Sequence, residues 1–61
     1  MKVGDLVRTR HNEHQGFFVV ISHIPVSGCP IEDHWVRILS LKDGEIEHEL
    51  YRSLEVISES R

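Results

Sequence analysis

Five histidines in 61 residues exceed ordinary usage, and they are the first place to look for chemistry. His11 and His14 stand three positions apart in a polar stretch, and His23, His34, His48 and Cys29 could join them. A zinc ion needs three or four ligands converging tetrahedrally. Two loop histidines without a Cys-x-x-Cys pair do not form a recognisable set. Solvated loop histidines are therefore expected, with His48 packed among inner-face side chains. No metal site and no cofactor is expected.

Cys29 precedes Pro30, and His34 follows five positions later. A nucleophilic thiol needs an adjacent base and a third group that orients the base. A chain this short has little volume for a substrate pocket beside its core. An unreactive loop cysteine in a non-enzymatic protein is the expectation. Glu45, Glu47 and Glu49 put three carboxylates on one face of a strand. Such a row is ordinarily a solvated face and implies no general acid–base pair.

Two binding chemistries remain. Arg8, Arg10, Arg37 and Arg52, with Tyr51 and Trp35, could offer charge and stacking to a nucleic acid. Phosphate contacts dominate such affinity, yet acids outnumber bases ten to seven and the net charge is −3. Nucleic-acid binding is thus the alternative, and protein binding comes first. Its candidate face is Trp35, Arg37, Leu39 and Leu41, in which apolar Trp35, Leu39 and Leu41 are rimmed by Arg37, Lys42 and glutamates. Two Phe, one Trp and one Tyr supply a polyproline groove poorly, so a flat contact with another protein or self-association is expected. The competing reading has these side chains completing the core.

The hairpin that must position them decides between those readings. Residues 35–41 mix aromatic, β-branched and leucine side chains, which suits a strand. Residues 45–50 alternate acidic Glu45, Glu47 and Glu49 with Ile46, His48 and Leu50, as a half-solvated strand does. Gly44 between them can take positive φ at no steric cost. A two-residue turn at Asp43-Gly44 sets Leu41 opposite Ile46. Trp35, Arg37, Leu39 and Leu41 then share an inner face with Ile46, His48 and Leu50. A three-residue loop with a bulge at Gly44 sets Ser40 opposite Ile46 and Arg37 opposite Glu49. Val36, Ile38, Ile46 and Leu50 then face inward, and Trp35 outward. Apolar counting favours the first register, but the charges favour the second, which is the one expected, with Trp35, Leu39 and Leu41 on the outer face.

Hydrophobic residues make up 39% of the chain and charged residues 28%, a globular balance that predicts one domain over residues 1–61. A chain of this length buries only about 60% of its unfolded surface, so its stability is marginal. No apolar run reaches the roughly 20 residues of a membrane helix. The opening Met1-Lys2-Val3 does not read as a signal peptide, and a single cysteine excludes an internal disulfide. The expected location is the cytoplasm, with no membrane partner.

Val7 begins a first strand after a Gly4-Asp5 turn, and Phe17 to Ile24 is a second, apolar on both sides in its first half. Such a run suits a doubly covered or strongly bent strand. Residues 25–30 form a Pro- and Gly-punctuated loop. Tyr51 to Leu54 fits one 3₁₀ turn, and Glu55 to Ile57 a last strand. The segments VGDLVR (3–8), GFFVVISHI (16–24), WVRIL (35–39), DGEIE (43–47) and YRSLEVIS (51–58) resemble the small SH3-like barrels. These occur as modules of larger proteins and as short stand-alone proteins of tailed bacteriophages. The resemblance implies an all-β fold: a five-stranded antiparallel SH3-like barrel with a single 3₁₀ turn before the last strand. It also implies an accessory or virion component, located in the host cytoplasm or the virion. The fold alone implies no activity.

Overall fold

Alternating β-branched and aromatic residues, broken every few positions by Gly, Pro or Asp, leave strands as the main building element. The computed structural model describes residues 1–11 and 16–59. Five strands form: β1 (Leu6–Thr9), β2 (Phe18–Ile24), β3 (Trp35–Ser40), β4 (Ile46–Leu50) and β5 (Leu54–Ser58). They make one antiparallel sheet in the order β4-β3-β2-β1-β5. No ladder joins β4 to β5 among the described residues, so the sheet stays open where a closed barrel was expected. Two 3₁₀ turns occur, Ile31–Asp33 and Tyr51–Ser53, rather than the single one expected. The additional turn follows Pro30, whose φ of −64° already suits a turn, and whose carbonyl accepts from Asp33 N–H at 3.0 Å.

A sheet with no second layer can bury a face only by curling over itself. The buried face carries Val7, Phe18, Val20, Val36, Ile38 and Leu54, with Met1 and Tyr51 packed against them. The residue pattern places Val3, Val7, Val20, Val36, Ile38, Ile46, Leu50, Leu54 and Val56 in the core; five of the six buried residues are among them, and Phe18 adds volume not assigned to it. Val3, Ile46 and Val56 were also expected inside but are 61%, 50% and 36% exposed, and Leu50 is half-buried.

Two local devices shape the sheet. In β2, Val20 pairs with Ile38 and Ser22 with Arg37, so Ile21 is an extra residue. Such a bulge bends the strand and reverses its alternation. Phe18 and Val20 face inward before it; His23, opposite buried Val36, faces inward after it. This is the bent strand that the doubly apolar run suggested. At the start of the chain, Asp5 N–H donates to Lys2 O at 3.1 Å, closing a turn with Gly4 at φ 95°. The buried Asp5 carboxylate accepts from Lys2 N–H at 2.9 Å, and Val20 N–H donates to Asp5 O at 3.0 Å.

The hairpin adopts neither expected register. Leu39 pairs with Ile46, Arg37 with His48, Val36 with Glu49 and Trp35 with Leu50. Ser40 N–H donates to Glu45 O at 2.8 Å, which leaves a four-residue loop from Leu41 to Gly44. The expected pairing of Arg37 with Glu49 does not form. The loop explains why. Gly44 N–H donates to Ser40 O at 3.0 Å with Gly44 at φ 75°, and Lys42 N–H donates to the Ser40 hydroxyl at 3.2 Å. Glu45 N–H donates to the Asp43 carboxylate at 3.0 Å. These bonds satisfy the loop's own backbone groups with one residue more than a bulged three-residue loop holds.

Replacing Phe18 with Ala should cost about 3–5 kcal/mol, as for other large buried aromatics. Replacing Ile46 with Ala should stay within about 0.5 kcal/mol, as for an exposed site. Urea denaturation of both variants checks this contrast. The Glu45 N–H bond, helped by the Ser40 hydroxyl, holds the Asp43 carboxyl below its usual value. Its contribution is present above the unfolded aspartate value of about 3.9 and is lost as pH falls through the lower folded one. An Asp43→Asn variant should therefore lose less stability than the parent between about pH 5 and pH 2 in thermal melts.

Candidate functional site

Residues directly opposite one another in adjacent strands share a face. On the outer face of β2, β3 and β4 this produces three rows. Ile24, Trp35 and Leu50 form the first, Ser22, Arg37 and His48 the second, and Val19, Leu39 and Ile46 the third. Two apolar rows thus flank one polar row. Trp35 is 42% exposed, Ile24 38% and Ile46 50%, while Val19, Leu39 and Leu50 are half-buried. A shallow hollow of about 350 Å³ lies between Ile24, Trp35 and His48.

The face combines features of both expected registers. Trp35 and Leu39 point outward, as the second required. Ile46, His48 and Leu50 join them on the same side, as the first required, although that side is the outer one. His48 is therefore exposed rather than packed inside. Leu41, 56% exposed, lies beyond the end of β3 in the hairpin loop. Sequence reasoning missed Ile24, Ile46 and Leu50 as members of this face. For Ile46 and Leu50 the signal was the alternation of β4, which the expected register assigns to the opposite side; Ile24 reaches the face through the bulge in β2.

Arg37 sits at the centre of the polar row. Its Nε is sealed from solvent with no hydrogen-bond partner, and it makes no ion pair among the described residues. A buried donor without a partner is costly, so Arg37 is a locally destabilising residue of this face. Glu47 and Glu49 lie on the other side of the sheet, opposite Ile38 and Val36, rather than beside Arg37 as expected. Both are half-buried. As β4 is an edge strand, their carboxylates can reach water past the rim.

The residues proposed for nucleic acid do not gather into one free cationic surface. Arg8 pairs with Glu55 at 3.1 Å and Arg52 with Asp33 at 2.7 Å. Arg10 Nε donates to Leu54 O at 3.2 Å. The Tyr51 hydroxyl accepts from the Met1 ammonium group at 3.0 Å. Of the four arginines, Arg37 alone belongs to the outer face described above, together with Trp35.

The bulge in β2 builds a second cluster. It turns His23 inward, where its Nε2 meets His34 Nδ1 at 3.0 Å. His34 Nε2 meets the Cys29 carbonyl oxygen at 3.2 Å. The rings of His23 and Tyr51 lie 6.0 Å apart. His34 thus meets the backbone of Cys29, and the arrangement pins the loop to the sheet. The Cys29 side chain is exposed. No group of three or more metal-binding side chains gathers among the described residues, His11 included. His14 lies outside them. Comparison with known proteins found no matching family model, curated protein or solved structure.

The bonding in the cluster sets both tautomers. A carbonyl can only accept, so His34 Nε2 must carry a proton. In the neutral ring Nδ1 is then bare, and His23 Nε2–H donates to it. Long-range ¹H–¹⁵N spectra at neutral pH should show both His23 and His34 as Nε2–H tautomers. An Nδ1–H pattern at His34 would rule this arrangement out.

Proposed function

We propose that this chain is a non-enzymatic protein-interaction module that binds through the outer face of β2, β3 and β4. The observation that carries the proposal is the three-row face itself. Exposed Trp35, Ile24 and Ile46 surround Arg37, which makes no ion pair among the described residues. Aromatic and arginine side chains amid apolar neighbours are where binding energy concentrates at protein interfaces. The engagement of His34 with the Cys29 backbone, away from any nucleophile–base pair, supports a binding role over catalysis.

We read the fold as an SH3-like barrel with its seam left open. The strand order, the bulged second strand and the 3₁₀ turn between β4 and β5 support that reading. An accessory or virion-assembly role accompanies the resemblance to short phage-type proteins. Nucleic-acid binding draws less support, because Arg8 and Arg52 already pair with carboxylates.

Trp35→Ala should keep the parent's far-ultraviolet circular dichroism spectrum and weaken capture of its partner by about 2 kcal/mol or more, as at interface hot spots. Affinity capture from the native host, with parent and variant side by side, checks this. Tight, salt-sensitive shifting of random RNA or DNA in an electrophoretic assay would instead favour the nucleic-acid reading.

A further inference from the structure

The open edge beside that face has a definite pattern of free backbone groups. In an antiparallel pair, opposed residues alternate between bonded and non-bonded positions. Ser40 bonds Glu45, so Ile38 with Glu47 and Val36 with Glu49 continue the bonded set. Ile46 and His48 therefore turn their N–H and C=O groups, and Leu50 its N–H, away from β3, toward the side of β4 that no strand pairs among the described residues; the Leu50 carbonyl caps the 3₁₀ turn at Tyr51–Ser53. Their side chains stand on the outer, largely apolar face. Between them Glu47 and Glu49 present carboxylates on the other side of the same edge.

We propose that β4 receives an added strand from a partner protein whose extended segment alternates apolar and basic residues. The proposal rests on the reading of the outer face as a protein-binding surface, and it names what that surface takes. The incoming backbone bonds both groups of Ile46 and His48 and the N–H of Leu50. Alternate incoming side chains extend the rows headed by Trp35 and Leu39, where apolar groups fit. The intervening ones stand opposite Glu47 and Glu49, where only cations are favourable neighbours.

A second copy of this chain is a poor occupant. Two β4 strands paired antiparallel about His48 would set Glu47 opposite the other copy's Glu49, twice over. The other edge, β5, reads Leu54, Glu55, Val56, Ile57, Ser58 and supplies no cation. The inward carboxylates are thus a guard against self-pairing that a basic strand would pass.

The probe is a synthetic peptide alternating valine and lysine, compared with one alternating valine and glutamate. Binding is read from Trp35 fluorescence and from amide shifts along β4. The lysine peptide should bind and perturb Ile46, His48 and Leu50, and the glutamate peptide should bind at least tenfold more weakly. Changing Glu47 and Glu49 together to Lys should reverse that preference. His48→Pro removes an amide the ladder does not use, so the fold should persist while peptide binding falls at least tenfold. Equal binding of both peptides, no binding of either, or lysine-peptide binding indifferent to His48→Pro would overturn strand addition. Binding that needs Trp35 yet ignores His48→Pro would do so while leaving the outer-face reading intact.

Discussion

The alternation of β3 is the constraint on which the rest of the molecule depends. Val36, Ile38 and Ser40 must be buried, because the curled sheet has no other layer to cover its inner face. Period-two geometry then forces Trp35, Arg37 and Leu39 outward. The core and the exposed face are thus two sides of one strand. Exposure of Trp35 follows from burying its neighbour, since moving β3 by one position would expose Val36 and Ile38 and bury Arg37.

Irregularities at the ends of the neighbouring strands turn that constraint into a face. The bulge at Ile21 reverses β2, so that Ile24 comes out beside Trp35 while His23 goes in to meet His34. The four-residue hairpin loop aligns Leu39 with Ile46 and thereby brings all three odd-sided residues of β3 beside Ile46, His48 and Leu50. One extra residue in a strand and one in a loop place three rows together. Without the bulge, Ile24 and Trp35 would lie on opposite sides of the sheet.

The same alignment keeps the sheet open. Glu47 and Glu49 project to the side that β5 would have to cover if the edges met. Burying unpaired carboxylates costs far more than the backbone bonds of a short seam would return. The core is correspondingly small, and polar ties at its margins do part of the holding. Asp5 secures the first turn, the His23–His34 pair secures the long loop, and Tyr51 N–H donates to His34 O at 2.9 Å across the two 3₁₀ turns.

Several features were legible in the residues alone, because they depend on neighbours in the chain. The alternation of β3 with Val36 and Ile38 inside is one, the turns at Gly4 and Gly44 another, and the 3₁₀ turn at Tyr51 a third. The bend in β2 could be suspected from an apolar run too continuous for a half-solvated strand. What the residues could not determine was how strands align with one another. Alternation sets the two sides of a single strand, but it is silent on which side of β4 lies beside which side of β3. That depended on whether the loop closed around two, three or four residues. The Ser40 hydroxyl, the Asp43 carboxylate and the Gly44 amide decided it through bonds that exist only once the loop is folded. The charges pointed to an Arg37–Glu49 pair, yet an exposed ion pair is worth too little to outweigh those bonds. The meeting of His23 with His34 was likewise a tertiary outcome, since it required a one-residue bulge whose position no local pattern marks.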